Sequence, residues 1–256
     1  MSFKVVIPAR YASTRLPGKP LRLLAGRPMI EHVYERALES GAGEVVIATD
    51  DARVCEAAEA FGAQVCMTGA EHESGSDRIA EAARTMEWPD EAIVVNLQGD
   101  EPLTPPAILG QVAGALLRHV DAAMATLCTP ITSVAQMLDP NVVKLVRDAN
   151  DFALYFSRAP IPWDRDAATP ETRSLEGCYR HIGLYAYRVG FLKAFSAMSP
   201  SVLEVTERLE QLRALDAGAR IQAPVAAEVP GQGVDVMEDL ERVEKALQDS
   251  GSGSRA

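Results

Sequence analysis

Three cations, Arg10, Arg15 and Lys19, stand within ten residues of one another in a chain whose formal net charge is -11. They lie in Pro8-Ala-Arg-Tyr-Ala-Ser-Thr-Arg-Leu-Pro-Gly-Lys-Pro20, among small and turn-forming residues that let backbone amides come close to a ligand. Clustered positive charge in an acidic chain suits the oxygens of a triphosphate better than any core contact. Two familiar phosphate motifs are excluded. Gly18-Lys19 is followed by Pro20 and lacks the upstream glycine of a P-loop, and no GxGxxG is present. P-loop ATPases and dinucleotide dehydrogenases are therefore disfavoured.

Asn96-Leu-Gln-Gly-Asp-Glu-Pro102 is the second segment with chemistry in it. Gly99 permits a tight turn that presents Asp100, and a carboxylate facing a cationic phosphate loop is what a hard cation such as Mg²⁺ needs. Turn stabilisation is the competing role for an aspartate in this setting. Placement at the same sheet edge as Arg10 and Lys19 favours the metal. Glu101 is the weaker candidate, because neighbouring side chains diverge in an extended turn. A second carboxylate comes from the glycine-rich turn Gly231-Gln-Gly-Val-Asp235, where Asp235 can either reach a ligand or cap the final helix.

The elements that must position these residues follow from periodicity. Val5–Ile7, Glu44–Thr49, Gln64–Met67 and Ala92–Leu97 read as strands. Helical segments span Pro28–Ser40, Ala52–Phe61, Ser76–Met86 (a serine cap with Asp77 in its first turn) and Pro105–His119. This alternation predicts a Rossmann-like, doubly wound α/β sheet, whose ligands lie beyond the carboxyl ends of the strands. In the second half, Val142–Arg147, Ala153–Phe156 and His181–Tyr187 are strand-like and extend the sheet in a mixed or antiparallel way. A long helix is expected over Val202–Leu215, with Leu203, Leu209 and Leu212 buried, then a strand near Val225–Val229 and a helix over Glu238–Leu247. Residues 1–248 read as a single domain and 249–256, which have linker composition, as a disordered tail.

Composition bounds the class. With 256 residues and 47% hydrophobic content the chain suits one large soluble domain. A pI near 4.9 argues against nucleic acid. No apolar run has membrane-helix length, and the chain enters a strand directly without signal-peptide composition, so a cytoplasmic location is expected. The 4 cysteines are scattered without a CxxC pair, which points to reduced thiols and no zinc site.

From Phe3 to about Val243 the chain resembles the 3-deoxy-manno-octulosonate (Kdo) cytidylyltransferases, the CMP-Kdo synthetases of Gram-negative bacteria. The resemblance rests on an ordered set of segments: 7–20, His-Glu-Ser-Gly-Ser-Asp-Arg (72–78), 96–102, Tyr-Phe-Ser-Arg-Ala-Pro-Ile-Pro-Trp-Asp-Arg (155–165), Arg-His-Ile-Gly-Leu-Tyr (180–185) and Leu-Glu-Gln-Leu-Arg (209–213). It implies a nucleotide-diphospho-sugar transferase fold with a mixed, mostly parallel sheet, in which residues 120–200 contribute a dimerisation extension. The implied reaction is CTP plus Kdo to CMP-Kdo and diphosphate with Mg²⁺, in lipopolysaccharide biosynthesis, by a cytoplasmic homodimer. Arg10, Lys19, Asp100 and Asp235 would be catalytic, and the two aspartates would hold the metal. Pro8, Ala9, Arg10, Ser13, Arg15 and Lys19 would meet the nucleotide's phosphate end. Ser74, Gly75, Arg78 and Gln98 would lie near cytosine and ribose.

The resemblance also implies that Gln98, Arg158, Arg165, His181, Tyr185, Glu210 and Gln211 bind the acid. The chemistry agrees, since an arginine pairs with a carboxylate while Glu, Gln, Tyr and His satisfy hydroxyls. One departure stands out. Family members have Thr-Pro after the second aspartate, a good helix start, where this chain has Val236-Met237, and valine cannot cap. CMP-activation of another acidic sugar, 8-amino-Kdo or sialic acid, and a non-catalytic nucleotide-sensing domain are the alternatives.

Overall fold

The computed structural model describes residues 2–12, 16–72 and 74–252. The first half alternates strand and helix. β1 (Lys4–Ala9) leads into the cationic loop and a small hairpin, β2 (Leu23–Leu24) and β3 (Arg27–Pro28). There follow α1 (Met29–Glu39), β4 (Glu44–Thr49), α2 (Ala52–Ala60), β5 (Gln64–Met67), α3 (Gly75–Thr85), β6 (Ile93–Asn96) and α4 (Pro106–Arg118). β1 pairs in parallel with β4 and β6, and β4 with β5. Successive residues of β1 face opposite sides: Val5 and Ile7 pack with α1, α2 and α4, while Val6 packs towards α3. Both faces are covered, which is why these strands read as apolar runs.

The second half brings β7 (Met124–Pro130), α5 (Val134–Leu138), β8 (Lys144–Arg147), β9 (Ala153–Ser157) and β10 (Tyr179–Arg188). After them come α6 (Val189–Phe195), α7 (Val202–Glu207), α8 (Gln211–Asp216), β11 (Ile221–Gln222) and α9 (Met237–Ser252). The sheet order is β11-β7-β10-β6-β1-β4-β5, with β8 beside β10 and β9 beside β8. β10 runs antiparallel to β6, β7 and β8, so its start lies at the edge where β1 and β6 end. The expected mixed α/β sheet is therefore present, parallel in the first half and antiparallel around β10.

Several elements differ from the sequence expectation. β7 sets only Thr126 and Thr129 among Met124, Ala125, Leu127 and Cys128, and it is buried on both faces, so no apolar–polar alternation marks it. The serine that caps α3 is Ser74, whose side chain accepts from the Asp77 amide in a capping box. Ser76 instead lies inside the helix. The single helix expected over Val202–Leu215 is broken at Arg208, which has φ 54. Arg158 sits at the break. Its Nε donates to the Glu207 carbonyl at 2.7 Å, and Glu207's carboxylate is itself drawn to Ser157 and the Arg158 amide.

Leu209 and Leu212 are buried as expected, whereas Leu203 sits on the broken-off turn and is 38% exposed. The strand expected at Val225–Val229 forms upstream, at Ile221–Gln222, and leaves only a bridge between Cys128 and Val225. α9 continues through residues 249–252, expected as tail, because extending a formed helix fixes one residue per hydrogen bond gained. Residues 253–256 lie outside the described residues.

Candidate active site

Why the first loop and the 96–102 turn meet is a matter of backbone. β1 and β6 are neighbours, and the chain runs on so that the Leu97 amide donates to the Val6 carbonyl at 3.1 Å. At Gly99 a Cβ would come within 2.9 Å of the Pro8 carbonyl oxygen, so only glycine lets the two strand ends approach this closely. At Gly75, the first residue of α3, a Cβ would lie 3.5 Å from the Pro8 ring and 3.8 Å from Gln98 Nε2. These backbones floor a cavity of about 380 Å³ whose walls include Arg10, Lys19, Gln98, Asp100 and Asp235. The loop itself is closed by the Gly18 amide donating to the Tyr11 carbonyl at 3.2 Å, with Gly18 in the left-handed region at φ 67. Ser13 and Arg15 fall outside the described residues.

The charges in this cavity are arranged as a triad of opposite signs. Lys19 Nζ donates to Asp100 Oδ2 at 2.5 Å and to Asp235 Oδ1 at 3.1 Å. Its side chain is 12% exposed, against 36% for Asp100 and 54% for Asp235. One ammonium thus draws together two carboxylates that are 135 residues apart in sequence (235 minus 100). Arg10, half-buried, donates to the Ser74 carbonyl at 3.2 Å, and burial together with neighbouring Arg78 pushes its guanidinium below the usual range. Pro8 and Ala9 line the same wall.

Arg78 is different: it is fully buried, donates to Thr68 and, at 3.0 Å, to Asp50, and leaves Nε without a partner among the described residues. It braces the wall from behind. Glu101, which sequence reasoning set aside, is pushed up to about 7 by burial and by the adjacent Asp100 charge.

The residues expected for the acid divide into two groups. His181 and Tyr185, on β10, share one face with Tyr187 in an aromatic column, with ring centroids 5.3 and 5.9 Å apart. Burial pushes His181 down to about 3, so its ring is neutral, and Nε2 is 2.9 Å from the Thr126 hydroxyl. Glu210 and Gln211, at the start of α8, pack against the same side. Ser76 donates to Glu210 Oε2 at 2.9 Å, and burial raises the Glu210 carboxyl above its usual range. The Tyr185 hydroxyl and Gln211 Nε2 are buried and have no partner among the described residues. Such groups are costly unless something fills them.

Arg158 and Arg165 are not brought to this wall. Arg158 is occupied by the carbonyls of Glu207 and Pro140, at 2.7 and 2.9 Å, and Arg165 is exposed on the loop after β9. Ser76, Tyr187 and Thr126 were missed, since isolated hydroxyls on buried elements carry no local signal.

Known proteins share this sequence and this fold. A family model described as cytidylyltransferase matches residues 4–221. A 3-deoxy-manno-octulosonate cytidylyltransferase of Thioalkalivibrio sulfidiphilus is 76% identical over 249 residues, covering 97% of this chain and 100% of the relative. One of Pseudomonas fluorescens is 55% identical, covering 96% and 98%. A solved structure of CMP:2-keto-3-deoxy-manno-octonic acid synthetase complexed with CTP superposes with a TM-score of 0.88 at 43% identity, over 98% of this chain and 100% of that one.

Proposed function

The chain belongs to the 3-deoxy-manno-octulosonate cytidylyltransferases, and from that premise we propose that its cleft joins CTP to Kdo, giving CMP-Kdo and diphosphate for lipopolysaccharide assembly. The observation that carries the reading is the closure of Asp100 and Asp235 on a single cation at the rim of the cavity lined by Arg10. In the reaction the anomeric hydroxyl of Kdo attacks the α-phosphorus of CTP in line with the departing diphosphate. The protein's task is positioning and charge neutralisation.

The donor set fits Mg²⁺. No cluster of three or more His, Cys, Asp or Glu ligands exists among the described residues, but two carboxylates that already converge on an ammonium match an ion that also takes phosphate oxygens and water. Asp100 and Asp235 would hold it, and when bound it supplies polarisation of the phosphate and a lower pKa for the acceptor hydroxyl. Lys19, released from the carboxylates, turns to the triphosphate beside Arg10, with Ser13 and Arg15 on the same loop. Gly75 and Gln98 face ribose and cytosine, and Arg78 steadies that wall through Asp50. On the acceptor side, Tyr185 and Gln211 donate to Kdo hydroxyls while Glu210 and neutral His181 fix their surroundings.

The same reading makes the enzyme cytoplasmic and dimeric. Among the described residues no helix is long and apolar enough to cross a membrane. Among the described residues β9 pairs with β8 alone, and Leu154, Trp163 and Val202 in the second half are 61%, 75% and 82% exposed. Sedimentation equilibrium should give twice the 27.5 kDa chain mass. Diphosphate release measured with CTP, Mg²⁺ and, in turn, Kdo, 8-amino-Kdo and sialic acid tests the acceptor. Kdo should give the highest kcat/KM, and preference for either other acid would overturn the assignment.

A further inference from the structure

The turn that carries Asp235 is braced from three directions. The Val234 amide donates to the Asp100 carbonyl at 2.9 Å. A Cβ at Gly233 would stand 3.1 Å from that same carbonyl oxygen, so the two carboxylate-bearing turns lie backbone to backbone. The Val234 side chain is buried with Leu16 and Leu24 beneath the cationic loop and with Leu240 and Val243 of α9.

The third brace is Asp239, three residues after the helix N-cap position held by Val236. It is 6% exposed, and its Oδ2 accepts the amide hydrogens of Asp235 at 2.8 Å and Val236 at 3.1 Å. Oδ1 pairs with Arg242 at 2.8 Å. The Asp235 amide, then its own burial and Arg242, set the Asp239 carboxyl, with a net shift below the usual range.

This arrangement answers the problem posed by Val236. The first amides of a helix need acceptors, and valine offers none. An aspartate at the edge of a helix start is drawn towards those amides, which would turn Asp235 away from the cleft. Asp239 occupies the amides of Asp235 and Val236 from within the first turn instead, the back-bonded half of a capping box. The Asp235 side chain is then directed at Lys19.

We propose that Asp239 is a positioning residue for the Asp100–Asp235 pair, holding the backbone of Asp235 so that its carboxylate points into the cleft. The proposal rests on those two aspartates being the metal-holding pair. Residues placed behind a metal ligand in this way typically alter metal affinity or activity by ~10–100-fold.

The test compares wild type with Asp239→Ala, the isosteric Asp239→Asn and Asp235→Ala. The readouts are Mn²⁺ binding in the presence of CTP by electron paramagnetic resonance, the Mg²⁺ dependence of turnover, and the thermal midpoint. Asp239→Ala should weaken Mn²⁺ binding about tenfold, with turnover recovered at raised Mg²⁺. Asp239→Asn, which keeps one acceptor oxygen and the fold, should fall between. Asp235→Ala should bind Mn²⁺ weakly and stay slow at any Mg²⁺ concentration. A lowered thermal midpoint with unchanged Mn²⁺ binding in both Asp239 variants would make the residue merely structural and overturn the proposal. Unchanged Mn²⁺ binding in Asp235→Ala would instead remove the metal-holding reading beneath it.

Discussion

The two walls of the cleft solve opposite problems. The wall proposed for the nucleotide is built mainly from paired backbone and charge, Pro8 against Gly99, the Leu97 amide on Val6 and Lys19 between two carboxylates, with Arg78 Nε behind it the exception. The wall proposed for the acceptor is built from aromatic and polar side chains with the Glu210 carboxyl among them, and two of its donors, the Tyr185 hydroxyl and Gln211 Nε2, have no partner among the described residues. A preset charge array stabilises a transferring phosphoryl group without reorganisation at the moment of reaction. Unfilled buried donors do something else. They disfavour the empty site and discriminate strongly for a ligand that supplies the matching oxygens.

If that division is right, damage to the first wall should strike turnover and damage to the second should strike acceptor binding. Asp100→Ala should lower kcat on the order of 10³-fold or more, since it removes a carboxylate proposed to hold the metal at the transferring phosphate, while the thermal midpoint holds. Lys19→Ala should cost about 10²-fold in kcat. It also removes the cation that screens two carboxylates from each other, so CTP binding at low Mg²⁺ should weaken with it.

Tyr185→Phe should raise KM for Kdo about tenfold, or ~1.4 kcal/mol, with KM for CTP unchanged. Because it deletes a buried hydroxyl that has no partner among the described residues, the folded protein should be no less stable by calorimetry. An equal rise in both KM values would break the division into two walls.

The last prediction concerns stability and its dependence on pH rather than turnover. Burial lowers His181 from 6.5 to about 3, so below pH 6.5 the unfolded chain takes up a proton that the folded chain refuses. The stability it contributes is complete above pH 6.5 and is lost as pH falls towards 3. His181→Gln should therefore flatten the loss of thermal midpoint between pH 6.5 and 4.

The same division decided what could be seen in the sequence. Arg10, Lys19 and Asp100 lie in short segments of turn residues and charge beside apolar strands, and the strand alternation alone puts those segments on one edge. Asp235 was visible as a carboxylate in a glycine-rich turn. Asp239 was not, because its role depends on which amides the helix start leaves open. The acceptor wall was legible only through resemblance. His181 and Tyr185 gain their setting from β10 running antiparallel between β6 and β7, and β7 itself gave no periodic signal. Arg158 shows the limit most clearly. Its residue type suits a carboxylate, while its Nε donates to the Glu207 carbonyl beside the break between α7 and α8, a contact no sequence pattern signals. That break was equally hidden, since Val202–Leu215 has continuous helical character.

Cytidylyl transfer is proposed to take place at the Asp100–Asp235 pair. The most direct measurement is the product balance from α-labelled CTP, Kdo and Mg²⁺ with wild type and Asp100→Ala side by side. Wild type should yield CMP-Kdo and diphosphate in equal amounts, and Asp100→Ala, folded to the same thermal midpoint, should yield neither. Diphosphate formed without CMP-Kdo, or Asp100→Ala turning over at the wild-type rate, would contradict it.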